Sequence, residues 1–283
     1  MTAPDLQESL ARLESLPTLP TVLTEVIATV HDPDTSALDL GRLIAADQSL
    51  SAAVLRTVNS AYYSYYRQID TVTQAIVILG FNEVCKVALA ATAFQTVPSS
   101  GSGYDRRQLW RHSLASGMAA ERAARAAGWP PAGGYFIAGL LNDIGKVALD
   151  WLWPEEFSHA VVTAHGKDRP LREVEREIFG ADHFVVGAAL AEHWNLPGNI
   201  VESIRCHLEP ESARSDPALT HLAIVADYLA FTADAGDSAE SRVPPPPARS
   251  QAAVGLNDDQ AVQIVEYLKS SEERIEALLG SLN

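Results

Sequence analysis

The chain is poor in cysteine: only Cys85 and Cys206 occur in 283 residues. Two thiols cannot build a disulfide framework, and their scarcity fits a reducing compartment. Positive charge is also scarce. Lys and Arg number 21 against 36 Asp and Glu, giving a formal net charge of −15 and a pI near 4.9. So acidic a surface repels phosphate backbones, so no nucleic-acid partner is expected, and an anionic membrane face is disfavoured for the same reason. Long apolar runs are missing. The stretch from Ala75 to Gly80 falls far short of the roughly 20 residues that span a bilayer. The start, Met1-Thr2-Ala3-Pro4-Asp5, lacks the basic and apolar regions of a signal peptide, and the expected location is the cytoplasm. Strict apolar/polar alternation is rare, which argues against strands, and no fixed-period repeat is present.

What the chain does have is helix. Apolar residues make up 47% and charged residues 20%, enough for a substantial core. Ala, Leu, Glu and Arg dominate, and helix stop and start signals recur. Ser36 to Asp39 reads as a capping box. Asp47 is placed to cap the helix of Leu50, Val54, Leu55 and Val58. Gly80 ends the helix of Ile76 and Leu79, and Asn82 is expected to cap the one after it. Two linkers are expected. Pro98 to Gly103 is polar and flexible, dividing an N-terminal helical subdomain (1–98) from a larger bundle (104–283). About 235–251, with Pro244 to Pro247, reads as a mobile excursion with little to bury. A last helix starts near Asn257, with Val262, Val265, Leu268, Ile275, Leu278, Leu279 and Leu282 on one stripe. That stripe either docks on the core or meets another subunit.

Hard-metal ligand types recur along the bundle: His112, Asp143, His183, His207 and Asp227. Each falls on a different predicted helix or its edge. Helical bundles build metal sites from facing side chains in this way. Imidazole and carboxylate together suit Zn, Fe, Mn or Ni. Without an ion, the same groups can form a buried polar network. His31, His159, His165, His193 and His221 lie off the pattern and read as structural or surface residues. Trp110, Trp151, Trp153 and Trp194 read as core anchors. The aromatic run from Asn59 to Tyr66 reads as helix packing or as a contact surface, with Asn59 fixing the turn through its amide.

Several motifs resemble one family. They include Leu109-Trp110-Arg111-His112-Ser113, Tyr135 through Lys146, Glu177 through His183, Val186-Gly187-Ala188 and Trp194-Asn195-Leu196-Pro197. Upstream stand Leu16-Pro17-Thr18-Leu19-Pro20, Leu55 through Ala61 and Ala75 through Gly80. From about Leu16 to Phe231 the chain is similar to the HD-related output domain (HDOD) family of the HD superfamily. The resemblance implies an all-α fold, an N-terminal helical subdomain on an HD-like bundle. It implies a bacterial signalling module that regulates or interacts, with a degraded catalytic site. It places the metal ligands of an HD enzyme on His112, the Asn142-Asp143 pair, His183, His207 and Asp227.

The chain departs from that pattern at three places. Asn142 replaces the His of the His-Asp pair. Cys206 precedes His207 where a second His is frequent. The glycine-tyrosine-proline motif of the cyclic di-GMP phosphodiesterase branch is missing after Pro210. An amide oxygen is a weak neutral ligand, so one divalent ion is the most this set is expected to hold, and hydrolysis of a phosphodiester is disfavoured. Lys146 is placed either to contact a phosphate or to face solvent. Cys206 and His207 point about 100° apart and are not expected to share an ion. No segment before Leu16 or after the last helix is expected to house a sensor. Input would come from a signalling protein partner, a ligand or the cluster itself, and a homo-oligomer is one form of partner. A metal-dependent phosphohydrolase of nucleotides or cyclic dinucleotides is the alternative.

Overall fold

A computed structural model describes residues 25–26, 36–60, 63, 67–96 and 104–282. Helices joined by turns and loops make up the described residues, and no strand occurs among them. The Pro98 to Gly103 joint, His31 and most of the Asn59 to Tyr66 run lie outside this set. The N-terminal part contributes α1 (Ala37–Ala45), α2 (Gln48–Val58), α3 (Val72–Leu79) and α4 (Phe81–Thr96). Ser36 and Asp39 close the capping box of α1, and the Asp47 carboxylate accepts from Ser49 and Leu50 to start α2. Asn59 clamps the turn that follows: its Nδ2 donates to Leu55 O and Ile69 O, and its Oδ1 accepts from Ile69 N, each at 2.8 Å. Gly80 (φ +91°) breaks the chain between α3 and α4. The expected cap at Asn82 is a correction. Helix α4 begins at Phe81, directly after Gly80, so Asn82 sits inside its first turn.

The bundle is laid around α5 (Arg106–Ala126), which is capped by Asp105. Packed on it are α6 (Gly134–Leu141) and α12 (Pro217–Thr232). Next come α7 (Ile144–Leu152), α8 (Pro154–Lys167), α9 (Leu171–Phe179), α10 (His183–His193) and α11 (Gly198–Arg205). Helix α10 lies across α7 and α11. The α7–α10 crossing depends on two glycines. A Cβ on Gly145 would stand 1.8 Å from His183 O, and one on Gly187 would stand 2.9 Å from Gly145 N. Backbone therefore meets backbone. This contact seats Asp143, which caps α7, beside His183, which opens α10. Trp110, Trp153 and Trp194 are buried as core anchors, whereas Trp151 is half-buried and packs on the core from its edge.

The C-terminal end differs from its sequence reading in two ways. The Pro-rich stretch is seated, not an excursion. Ser238 and Ala239 are buried, and Pro247 precedes a short helix, α13 (Ala248–Val254), that packs on α12. The last helix is two helices, α14 (Asp258–Ser270) and α15 (Glu272–Leu282), broken at Ser271. Asn257 and Gln260 form the α14 capping box. Ile264, Leu268, Ile275, Leu278 and Leu279 are buried, so most of the apolar stripe docks on the core, while Val262 is exposed. Helix α15 touches α2, α4 and α5, tying the N-terminal helices to the bundle. Among the described residues, no helix is long and apolar enough to cross a membrane.

Candidate metal centre

All five predicted ligands come together in one buried cluster. His112 comes from the second turn of α5 and Asp143 from the α6–α7 corner. His183 is the first residue of α10, His207 follows α11, and Asp227 lies in the middle of α12. Three of them converge tightly: one ligand atom each from His112, Asp143 and Asp227 lies within 4.8 Å of the others. His112 Nε2 is 2.8 Å from Asp227 Oδ1 and 3.8 Å from Asp143 Oδ2. The other two imidazoles stand one step out. His183 Nε2 is 3.8 Å from Asp143 Oδ1, and His207 Nε2 is 3.9 Å from Asp227 Oδ2. The two aspartates are therefore the hubs. Asn142 is buried beside Asp143, and its Oδ1 has no hydrogen-bond partner.

Two groups escaped the sequence reading. Glu175 is fully buried on α9, and its Oε2 sits 2.6 Å from His183 Nδ1 and accepts the His183 backbone N–H at 2.9 Å. A carboxylate on the far nitrogen of a ligating imidazole fixes its orientation and raises its basicity. A signal existed: Leu171, Val174 and Ile178 form an apolar stripe on α9, and Glu175 falls on it. Glu240 is the second. Its Oε1 stands 3.7 Å from Lys146 Nζ, and its Oε2 accepts from Leu171 N at 3.1 Å. Lys146 does not face solvent. It is buried, 3.0 Å from Asp143 Oδ1, and donates to Ser238 O at 2.8 Å.

The electrostatics split the cluster. Burial opposes charge on Lys146, but Asp143 and Glu240 outweigh it and hold the ammonium well above the ordinary lysine range. Burial likewise opposes an imidazolium at His183, yet the Glu175 carboxylate prevails and raises its pKa. His207 lacks such a partner, and burial pushes it down to about 4. Burial works against ionised Asp227, but the hydrogen bond from His112 prevails and keeps its carboxyl below the usual range. Of the remaining histidines, His159 and His165 are exposed, His193 is half-buried, and His221 is buried with Nδ1 3.0 Å from Ser250 Oγ. Cys206 is half-buried, and the tight ligand group does not include it.

The donor set fits one divalent ion. Two carboxylates and an imidazole converge, while Asp143 Oδ2 and His183 Nε2 are buried without hydrogen-bond partners. Buried polar atoms are rarely left unpaired, and a cation would satisfy these. Above the cluster is a cavity of about 290 Å³, walled by Lys146, Arg172, Phe184, Arg242 and Pro244 to Pro247.

A family model described as the HDOD domain matches residues 16–210, leaving Asp227 outside the matched span. An uncharacterized protein of Treponema pallidum (strain Nichols) is 27% identical over 197 residues. That match takes in 69% of this chain but 38% of the relative, so the chain spans well under half of that protein. Among solved structures, an HDOD domain protein of unknown function from Geobacter sulfurreducens aligns at TM-score 0.80 and 26% identity, covering 99% of both chains. A protein from Shewanella amazonensis SB2B, named as a candidate phosphohydrolase, aligns at 0.74 and 23%, covering 97% of this chain and 98% of that one. A protein from Marinobacter aquaeolei VT8, named as a candidate signal transduction protein, aligns at 0.83 and 20%, covering 98% of this chain and 64% of that one.

Proposed function

Since the chain belongs to the HDOD domain family, we propose that it is a signal-transduction output module whose HD-type centre holds at most one divalent ion and hydrolyses no phosphodiester. Its similar proteins carry both names, signal transduction and phosphohydrolase, so the ligand set has to decide. The observation that carries the reading is the ligand count. Among the described residues, only His112, Asp143 and Asp227 converge within 4.8 Å. The position beside Asp143, where an HD enzyme offers an imidazole, holds the Asn142 amide. A two-metal clamp on a phosphoryl group needs more ligands than this. His112, Asp143 and Asp227 would hold the ion, with His183 oriented towards it by Glu175. When bound, such an ion would polarise a phosphoryl oxygen or a water. The chain's own residues hold charge: Lys146 neutralises Asp143, and the ionised Asp227 carboxylate accepts a hydrogen bond from His112 Nε2. The output is contact with a signalling protein, which the acidic surface suits better than nucleic acid.

The test is an activity panel of nucleotides and cyclic dinucleotides with added Mn, Fe or Ni, on protein purified without a His tag. No turnover above background is expected. Turnover that disappears in Asp143→Ala would refute the reading. Metal titration should give no more than one ion per chain, and two would also overturn it. The phosphohydrolase alternative is favoured by the Glu175–His183 pair, which leaves His183 Nε2 free of hydrogen bonds. The same panel decides it.

A further inference from the structure

A second cavity, of about 330 Å³, opens along the seam where the N-terminal helices meet the bundle. That is room enough for a small organic molecule. Its floor is buried and apolar, built from Val87, Met118, Phe136 and Leu278, and its rim is charged. Lys86 of α4 is the buried cation. It pairs with Glu83 and donates to Oε1 and Oε2 of Glu121, on α5, at 3.1 and 3.0 Å. Glu83 Oε1 also accepts from Tyr63 Oη at 2.8 Å. Both carboxylates of the cavity are thus engaged with Lys86.

The exposed arginines of the rim are left without an anion. Glu121 stands four residues before Arg125, the spacing at which a helix pairs Glu with a cation, yet its oxygens turn to Lys86. Arg122, on the same face of α5, has its guanidinium carbon 3.5 Å from the centre of the Tyr267 ring. Stacking on an aromatic face holds a guanidinium in place and leaves its N–H edge available. Among the described residues, neither Arg122 nor Arg125 forms an ion pair. Even with Arg274 of α15 left out of the sum, Lys86, Arg122 and Arg125 outnumber Glu83 and Glu121. This local surplus sits in a chain whose net charge is −15. Two guanidinium forks at neighbouring positions offer more donors than the two oxygens of a carboxylate can use, and a phosphate presents three.

We propose that the seam cavity binds a small organic phosphomonoester, with its phosphate on Arg122 and Arg125 and its apolar body on Val87, Met118 and Phe136. The site shares no lining residue with the cavity above the metal centre and needs no ion. Because α4 and α5 both wall it, a bound ligand fastens the N-terminal helices to the bundle.

Isothermal titration calorimetry of the full chain, in EDTA and at fixed sodium chloride, tests it. Phenyl phosphate probes head and body together, and inorganic phosphate probes the head alone. Phenyl phosphate should bind at one site per chain, and inorganic phosphate about tenfold more weakly for want of an apolar body. Arg122→Met and Arg125→Met should each weaken phenyl phosphate by about tenfold or more, as expected on losing charge-assisted hydrogen bonds. Arg172→Met, in the cavity above the metal centre, should bind as the wild type does. Absence of saturable phenyl phosphate binding, or binding undiminished in both rim variants, would overturn the proposal. So would loss of binding in Arg172→Met, which places the anion at the other cavity, or inorganic phosphate binding as tightly as the ester. Turnover plays no part in the readout and EDTA removes any ion, so the outcome is independent of how the metal centre is read.

Discussion

The N-terminal helices and the bundle bury different things. In α1 to α4 the interior is Leu40, Ile44, Val54, Val58, Val84 and a run of alanines, with Thr57, Lys86 and Thr92 as its few buried polar residues. The bundle buries His112, Asn142, Asp143, Lys146, Asp150, Glu175, Asp182, His183, His207 and Asp227. Charges taken out of water are costly even when paired, and apolar replacements are frequently as stable. The bundle therefore carries a set of groups that stability alone does not call for. The contrast teaches which half is scaffold and which half is site.

Substitutions can break that contrast, beginning with the largest effect. Gly145→Ala drives a methyl group into the His183 carbonyl, and destabilisation of about 4 kcal/mol or more, or failure to fold, is expected in chemical denaturation. Gly166→Ala, on α8 with open space around it, should instead be neutral or stabilise by about 1 kcal/mol. Next, Leu40→Ala in the N-terminal core should cost about 2–5 kcal/mol by the same measurement. It should leave the titration of His183 unchanged, since the site is built without α1.

A third experiment sharpens the split within the site. Imidazole NMR should find His183 protonated at a pH where His207 is neutral, and Glu175→Gln should lower the His183 pKa towards or below its ordinary value. The sign for stability follows. His207 is depressed to about 4, and an unfolded chain takes up that proton near pH 6.5. Its share of stability thus falls as the pH drops from about 6.5 towards 4. His183 is raised, so its share is full below about 6.5 and is lost as the pH climbs through its folded value. Denaturation midpoints across pH 4–8, compared with those of His207→Gln, check this. The smallest effect is expected at Arg107→Ala, which removes a half-exposed pair with Glu276 at 2.6 Å. A change of about 0–1 kcal/mol, shrinking in salt, should follow.

Most of the helices, the caps at Ser36 and Asp47 and the five residues that gather in the cluster were legible in the sequence for a common reason: each rests on local chemistry or a spaced motif. Ser36 and Asp47 act within a turn of where they stand, and Asn59 closes a loop only ten residues long. Glu175 falls on the apolar stripe of its helix, but Glu173 and Glu177 beside it make it look like one more surface glutamate. The Pro-rich stretch at about 235–251 gave no sign of its seating because proline forbids helix but does not forbid burial. What it buries, Ser238 and Ala239, is too small to leave an apolar signal. Ser271, which breaks the last helix in two, interrupts a stripe whose spacing continues through it.

At the α7–α10 crossing, the two chains touch with no side chain between them. Side chains elsewhere in the molecule can change rotamer and absorb a neighbour's shift, but peptide pressed on peptide has no such play. A push of a few tenths of an ångström on the Asp143 corner must therefore be handed on whole to the start of α10, as through a gear with no backlash.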